Sequence, residues 1–235
     1  MPAANHQDIQ SFITMATAFS QMSYQGVYLF DFTTSRFLYA SNHPLLLGKA
    51  SIDDFYNKGI DVFQTIAERS DWDNIQKIKD ALTSGFRQMP TEMKSHCVIS
   101  FTMRIKTHTR SIIVTHKMSM LQCDAQGIPT LALGMVSPSV GNTGGDVMVQ
   151  IPSTATTYSY SWSDNKWMEQ EHIALSAEEQ TMLRLSMQGF TVEKIANIMC
   201  RSVNTVKFYR KQVFQKFNVK SISEAIAYAI HNCLI

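Results

Sequence analysis

Residues 202–217, S-V-N-T-V-K-F-Y-R-K-Q-V-F-Q-K-F, carry the clearest structural signal in the C-terminal part of this chain. The apolar residues of this stretch recur every three or four positions, which is the period of a helix with one buried face. These residues are Val203, Val206, Tyr209, Val213 and Phe217. The other side repeats with the same period and carries Asn204, Lys207, Phe208, Lys211 and Gln215. We therefore predict a helix that packs on one side and presents a basic, amide-bearing surface on the other.

The charge around this helix has one sign. Residues 194–220 include seven Lys or Arg and no Asp or Glu. From residue 175 onward there are eight basic and four acidic side chains, against 13 and 15 in residues 1–174. A solvated face normally mixes both signs, so a polyanionic partner explains this one better. Lysine can donate to guanine, Asn or Gln can pair with adenine, and Phe208 can pack on a thymine methyl, which predicts double-stranded DNA as the partner.

Two shorter helices are predicted before residue 202. Ser176 and Glu179 have the spacing of a capping box, in which each side chain reaches the backbone amide of the other residue. Gly189 is placed to end that helix in the left-handed conformation. Thr191 can cap the next helix. The buried stripe of this second helix is expected to be Ile195, Ala196, Ile198 and Met199.

A fourth helix is predicted to complete the unit. Asn218 can end the preceding helix in the left-handed conformation, and Ser221 with Glu224 has the spacing of a second capping box. The last helix has few charges and small side chains on one side, which allow close helix approach. We predict that this side belongs partly to the domain core and partly to a dimer contact; a role in the core alone is the alternative. The residues concerned are Ala225, Ile226, Ala229 and Ile230.

The pattern L-S-A-E-E…M-L-R-L…Q-G-F-T…I-A…S-V-N-T-V-K-F-Y…V-F-Q-K-F-N-V…E-A-I-A-Y-A, across residues 175–235, resembles the LuxR/NarL/FixJ-type helix-turn-helix domain. The resemblance implies a transcriptional regulator that binds paired half-sites as a dimer. By the resemblance, the residues that enter the major groove are Lys207, Phe208 and Lys211, on the face that also carries Asn204. Those expected to meet phosphates or to add salt-dependent affinity are Thr205, Arg210, Lys194 and Lys216.

Five positions depart from the usual pattern of that family. The second helix usually begins with a basic and then an acidic residue, whereas here the order is Glu193-Lys194. The phosphate contact at that point is therefore expected to be displaced by one position or lost. Tyr209, Phe217 and Asn218 stand where His, Leu and Gly are common, and these exchanges keep the role of each position.

The N-terminal part predicts a different architecture. An amphipathic helix at residues 6–22 precedes two aromatic-rich strands within residues 26–40 and short helices at 51–69. A longer helix begins near Ser70 and carries Ile75, Ile78, Leu82 and Phe86. Three strands follow, at residues 97–106, 110–121 and 130–136. This order resembles a PAS domain, a five-stranded antiparallel sheet with helices over one face, in which the enclosed space either holds a ligand or is filled by side chains.

The interior of that sheet and the segment that follows it leave alternatives open. The aromatic and methionine residues Phe30, Phe32, Phe101, Met103, Met118 and Met120 suit a ligand pocket or a packed core, and ordinary packing is favoured. Residues 147–151, 157–162 and 166–170 have the pattern of short strands. We interpret this hairpin region as a connector that transmits the state of the sensor, with a covering flap over the sensor core as the alternative.

The predicted fold class is therefore α+β, with three parts. Residues 1–136 form a PAS-like sensor domain with an N-terminal amphipathic helix. Residues 137–174 form a loop and hairpin connector, and residues 175–235 form an all-α four-helix LuxR-type helix-turn-helix domain. The predicted function is a DNA-binding transcriptional regulator that acts as a homodimer and receives an unknown signal through its sensor. A small-molecule ligand in the PAS-like domain is one form that this signal could take.

Several other classes of protein fit less well. No nucleotide-binding, nucleophile-elbow or metal-ligand spacing occurs, so neither an enzyme nor a cofactor or metal is expected. The four cysteines are scattered and read as reduced thiols, and no apolar run reaches the ~20 residues of a membrane span, so a cytoplasmic location is expected. Two alternatives remain: a sigma-factor-like module that contacts RNA polymerase, and a small-molecule receptor of the quorum-sensing type.

Overall fold

The computed structural model describes residues 6–74, 76–77, 97–139, 144–151, 156–170, 173–232 and 234–235. The chain divides into two compact units, Met1–Gln170 and Glu171–Ile235. The first is an antiparallel sheet with helices, and the second is entirely helical in its described part, so the predicted α+β class is confirmed. None of the described helices has the length and apolar character needed to cross a membrane.

The elements of the first unit begin with α1 (His6–Met22), β1 (Gly26–Asp31) and β2 (Arg36–Ala40). Short helices follow: α2 (Pro44–Leu47), α3 (Ile52–Lys58), a 3-10 turn (Gly59–Asp61) and α4 (Val62–Ile66). The remaining strands are β3 (Val98–Lys106), β4 (Ser111–Cys123), β5 (Pro129–Pro138), β6 (Val147–Ile151), β7 (Thr156–Ser161) and β8 (Lys166–Gln170). They form one sheet in the order β2-β1-β5-β4-β3-β6-β7-β8, with every neighbouring pair antiparallel.

The five strands predicted for the PAS-like part lie side by side in the order β2-β1-β5-β4-β3, but the sheet itself is larger than predicted. We expected five strands and a separate hairpin connector, and the described sheet has eight strands. The difference arises because β6 pairs with β3, with Val147 opposite Phe101 and Val149 opposite Ile99. The segment predicted as a connector, residues 137–174, therefore supplies three strands to the first unit. Pairing between segments almost fifty residues apart leaves no local mark in the sequence.

The two faces of the sheet are buried by different elements. Alternate strand residues such as Tyr28, Phe101 and Val136 join Phe55 and Ile66 from the short helices in one apolar core. Successive strand residues point to opposite faces, so the residues between them belong to the other side. There Ala16 of α1 packs with Val27 and Leu29 of β1, all of them fully buried. This arrangement confirms that the lead helix at residues 6–22 is amphipathic.

A helical stretch begins at residue 69, as predicted, and is fixed to the sheet by Asp71. The Asp71 carboxylate is only 2% exposed and accepts hydrogen bonds from Arg104 through the backbone amide, Nε and Nη2, at 2.6, 3.1 and 2.7 Å. Burial opposes ionisation of Asp71, but these hydrogen bonds and the charge of Arg104 outweigh it and lower the pKa of the carboxyl. Ile75, Ile78, Leu82 and Phe86, predicted to continue this helix, lie outside the residues described.

The short strand β6 is held at its start by the segment before it. The Gly145 amide donates to the Thr102 carbonyl at 2.8 Å, and the Asp146 amide donates to the Thr102 hydroxyl at 3.0 Å. Trp162, between β7 and β8, donates its indole Nε1–H to the Gly145 carbonyl at 2.8 Å. These bonds secure the β3–β6 junction from two directions, so β6, β7 and β8 continue the sheet.

The described residues of the second unit form four helices, as predicted. They are α5 (Ala177–Met187), α6 (Val192–Ile198), α7 (Val203–Phe217) and α8 (Ile222–His231). One core joins them, built on buried residues of all four, among them Leu183, Ile195, Val213 and Ala229.

Gly134 sets the spacing at the centre of the sheet, where it lies opposite Tyr28 of β1. A Cβ added at Gly134 would fall 2.0 Å from Cζ of the Tyr28 ring, which is itself buried. We expect Gly134→Ala to lower the free energy of unfolding by about 1–3 kcal/mol, because the ring has to leave its position. Urea denaturation of both variants would measure this. Ser137→Ala on the same strand is the control, and its effect should stay within about 0.5 kcal/mol.

Candidate functional site

The helix α7 is oriented by its apolar side. Val206, Val213 and Phe217 are buried in the core of the second unit, and Val203 and Tyr209 are partly buried against it. The Phe217 ring stacks on Tyr228 of α8, with centroids 4.5 Å apart. The predicted buried stripe is thus confirmed. Because five positions along one stripe are engaged, the helix cannot rotate about its axis without exposing apolar surface.

The opposite side of α7 is open to solvent along its length. The exposed residues are those predicted for this face: Asn204, Lys207, Phe208, Lys211 and Gln215. Phe208 is 53% exposed, and its ring lies 6.3 Å from that of Tyr209, centroid to centroid. The face therefore combines two cations, two amides and an apolar ring, which matches the set of groups that read base edges in a major groove.

The start of α7 is set by a tight turn after α6. Ser202 caps the helix by accepting from the Thr205 amide at 3.1 Å, and the two hydroxyls lie 2.8 Å apart. Cys200 has a φ of 51°, a left-handed conformation that L-residues rarely adopt. This role of Cys200 was not predicted, since no glycine or asparagine marks the turn. Thr205 is half-buried, with its amide and hydroxyl both engaged by the cap.

The order Glu193-Lys194 places an acid at the start of α6. Thr191 caps this helix by accepting from the Lys194 amide at 3.3 Å, as predicted. Hydrogen bonds from its own amide and from Thr191, together with the charge of Lys207, lower the pKa of Glu193. Lys194 and Glu193 are both exposed. One carboxylate therefore acts on the cationic face of α7, although residues 194–220 themselves carry none.

The other two basic residues of α7 that were predicted to meet phosphate have partners within the domain. The Arg210 guanidinium lies over the Phe214 ring, 5.3 Å from its centroid, and Arg210 is half-buried. Lys216 donates from Nζ to the Glu179 carboxylate at 2.7 Å and to the Ala174 carbonyl at 3.0 Å. Lys216 thus ties the end of α7 to the start of α5, a structural role that the sequence did not indicate.

The partner of Lys216 is an unusually buried acid. Glu179 is 1% exposed, and its Oε2 also accepts from the Ser176 amide at 2.8 Å, which completes the predicted capping box. Among the described residues, its other oxygen, Oε1, has no hydrogen-bond partner. A buried carboxylate with so few donors depends on the ammonium beside it.

The helix α8 divides the four residues predicted for the dimer contact. Ala225 and Ala229 are fully buried in the domain core, Ile226 is half-buried against it, and Ile230 is 53% exposed. Asn218 ends α7 at φ 53° and ψ 46°, as predicted. The second capping box is only half formed, because the Glu224 side chain accepts from the Lys220 amide at 2.9 Å. Ala225 and Ala229 therefore serve helix packing within the domain, and Ile230 is the large apolar residue on the outer side of α8.

The interior of the first unit holds a buried polar pair. His116 of β4 is 1% exposed, and its Nδ1 lies 3.2 Å from the Tyr28 hydroxyl. The His116 ring stacks on Phe101, with centroids 4.7 Å apart, and meets the ring of Phe63 at 5.7 Å. Burial lowers the pKa of His116 to about 3 and raises that of Tyr28, so both side chains are uncharged at neutral pH. Histidine was not among the residues predicted to matter.

We expect Lys216→Met to lower the free energy of unfolding of the second unit by about 1–3 kcal/mol, because the Glu179 carboxylate loses its one cation. The value stays below that of a fully enclosed pair, since the Lys216 side chain is 37% exposed. Urea denaturation would measure it. Lys211→Met, on the exposed side of the same helix, is the matched control and should change stability by less than about 0.5 kcal/mol. Equal losses in the two variants would contradict the structural role of Lys216.

Comparison with known protein families gives a match within the second unit. Residues 174–229 match the family model described as bacterial regulatory proteins, luxR family. No curated protein matches the chain.

Solved structures superpose on most of the chain at low identity. They include a phage VqmA in complex with DPO (16% identity, 95% of this chain and 90% of the other, TM-score 0.33). They also include a Vibrio cholerae VqmA dimer without its target DNA (16%, 94% and 88%, TM-score 0.31) and a Vibrio cholerae VqmA complex with ligand and DNA (18%, 92% and 86%, TM-score 0.31). TM-scores of this size reflect a loose superposition. Residues 174–229 of this chain are a domain of the luxR family of bacterial regulatory proteins.

Proposed function

We propose that the protein is a transcriptional regulator that binds double-stranded DNA through α7 and takes a signal through its first unit. The observation that carries the proposal is the exposed face of α7, which is cationic, amide-bearing and free of acids, within a domain that matches the luxR family. Such a face has no use inside the domain, because the opposite stripe already supplies the core. It suits a polyanion whose groove admits a helix.

The roles of the individual residues follow from their exposure. Lys207, Phe208 and Lys211 are proposed to reach base edges, with Asn204 beside them at the start of the helix. Lys194 and Arg210 are proposed to contact phosphates, and the half-buried Thr205 to do so from the helix cap. Lys216 is left out of this set, since its ammonium is held by Glu179.

The luxR-type domain is proposed to act as a homodimer that contacts DNA at two half-sites. On α8, Ser223, Ala227 and Ile230 are exposed and recur at the four- and three-residue spacing of one helical face. Small residues at the first two positions permit close approach of a second α8, and Ile230 supplies apolar area. Ala225 and Ala229 support this face from within the core.

The first unit is proposed to be the sensor. Its sheet encloses an aromatic and methionine-rich interior with one buried polar pair, Tyr28 and His116, which a purely structural core does not require. Because the proposed partner is DNA, the protein is also proposed to act in the cytoplasm. Under this proposal the protein regulates and does not catalyse, and any contact with RNA polymerase follows DNA binding.

We expect Lys207→Ala to weaken binding to a specific DNA site by about 1–3 kcal/mol and to relax the preference at one base pair. The reason is that an exposed lysine aimed at a base edge loses its donor while the apolar stripe of α7 stays intact. Fluorescence anisotropy with a specific and a random duplex, at fixed salt and without polymerase, would measure both effects.

The control is Lys166→Ala, which removes an exposed lysine from the start of β8. Its DNA affinity should match that of the unchanged protein. An equal loss on specific and random DNA for Lys207→Ala would move this residue to the phosphate-contacting set. No DNA binding at low salt by the unchanged protein would refute the proposed function as a whole, and binding only with polymerase would favour the sigma-factor-like alternative.

We expect Ile230→Asp to shift the protein toward the monomer, because two such faces would bring carboxylates together in an apolar contact. Sedimentation velocity would show the change in mass, and affinity for a DNA with two half-sites should fall more than affinity for one half-site. Met187→Asp is the matched control, since Met187 of α5 is 52% exposed, almost the same as Ile230. A dimer that persists in Ile230→Asp would remove α8 from the interface.

A further inference from the structure

Three buried side-chain atoms of the first unit lack a hydrogen-bond partner within the part of the chain that the structure describes: Ser23 Oγ, Ser100 Oγ and His116 Nε2. The last of these lies among aromatic rings. His116 lies on the inner face of β4, beside Phe101 of β3, with which it is in direct register. The imidazole is thus enclosed by the rings of Phe101, Phe63 and Tyr28.

The neighbour of His116 determines which ring nitrogen carries the proton. A buried tyrosine hydroxyl needs an acceptor, and the described residues offer the Tyr28 Oη only His116 Nδ1, at 3.2 Å. The Tyr28 hydroxyl therefore donates to Nδ1. The imidazole is uncharged, because burial lowers its pKa to about 3, so its single proton lies on Nε2. The orphan group is consequently an N–H donor.

An orphan N–H donor in an apolar interior is unfavourable, and this one is easily removed. A phenylalanine at position 116 would fill nearly the same volume and would leave only the Tyr28 hydroxyl to be satisfied. The chain instead keeps a donor directed among aromatic rings. The nearby side chains can also rearrange, since Met103, Met118 and Met120 lie in the same core and methionine adapts to irregular volumes.

We propose that His116 Nε2–H is the anchor for a small, uncharged, flat ligand that carries a hydrogen-bond acceptor and binds inside the first unit among its aromatic rings. The inference rests on the proposed sensor function of this unit and names the chemical class of its signal. The ligand is uncharged because the described core offers no counter-ion beside His116. It is flat because Phe101 and Phe63 surround the imidazole with ring faces and edges, and it accepts because the available group donates.

The first test establishes the proton position in the full-length protein. In protein labelled with ¹⁵N-histidine, long-range ¹H–¹⁵N correlation spectra distinguish the two uncharged forms of an imidazole. The His116 resonance, assigned by its loss in His116→Phe, should show the Nε2–H form between pH 6 and 8 in these spectra. In Tyr28→Phe the Nδ1 atom loses its donor, so the Nε2–H form should no longer be favoured over the Nδ1–H form. An Nδ1–H form in the unchanged protein overturns the proposal.

The second test measures the acceptor directly with two probes of equal shape. Pyridine and benzene are both flat and uncharged at pH 8, and only pyridine has an acceptor nitrogen. Both dissociation constants are followed by ligand-observed NMR, and pyridine binding also through the His116 Nε2 resonance. The dissociation constant of benzene divided by that of pyridine should be about tenfold larger in the unchanged protein than in Tyr28→Phe/His116→Phe. The double variant keeps the ring volumes and strands no tyrosine hydroxyl, and its near-ultraviolet circular dichroism reports whether the core is preserved.

The outcomes are separable from those of the proposed function. Equal ratios in the two proteins, or no response of His116 to pyridine, overturn the proposal. An exchanging water that holds Nε2–H in the presence of saturating pyridine also overturns it. DNA affinity is measured on the same samples. Intact DNA binding with no pyridine preference refutes the ligand anchor and leaves the DNA-binding function standing, whereas loss of DNA binding by the unchanged protein refutes the proposed function itself. If the double variant loses its near-ultraviolet signal, the Tyr28→Phe protein replaces it in the comparison. Its preference for pyridine over benzene should then be smaller than that of the unchanged protein.

Discussion

Burial of one stripe along α7 is the constraint on which the second unit depends. Val206, Val213 and Phe217 are enclosed by three other helices, and together they remove enough apolar surface from water to fix the rotation of the helix. This packing orients the exposed cations and amides of the outer face, which are Asn204, Lys207, Lys211 and Gln215. The core packing therefore holds the backbone of the exposed face in place before a partner binds. Less conformational entropy is then lost when that face binds.

Two basic residues of α7 are bound to partners within the domain. Lys216 lies about two and a half helical turns beyond Lys207 and would add to the cationic field, but its ammonium is bound to the Glu179 carboxylate. A capping box, an ion pair and a carbonyl contact thus meet at a single buried carboxylate, which links the first and third helices of the unit. The Arg210 guanidinium is stacked over the Phe214 ring. Charge counts alone overstate the surface available to a polyanion.

In the first unit the corresponding constraint is the closeness of strands at the centre of the sheet. Gly134 permits the Tyr28 ring to lie flat against β5, and this position brings the Tyr28 hydroxyl to His116. A polar pair is thus placed inside an apolar layer by backbone geometry. The outer strands serve a different end, because Trp162 and the Thr102 contacts extend the sheet past β3 and leave no separate connector in the described residues 144–151 and 156–170.

Features that depend on neighbours within one helix or strand could be predicted from the amino-acid sequence. The stripes of α7, the caps at Ser176, Thr191 and Asn218 and the strand segments all follow from spacing and local hydrogen bonding. Tertiary structure alone decided what depends on distant residues: the pairing of β6 with β3, the Glu179–Lys216 ion pair, the inward turn of Ala225 and Ala229, and the isolation of His116. These features join residues far apart in the chain, so no periodicity or cap signal records them, and only the packed arrangement brings their atoms together.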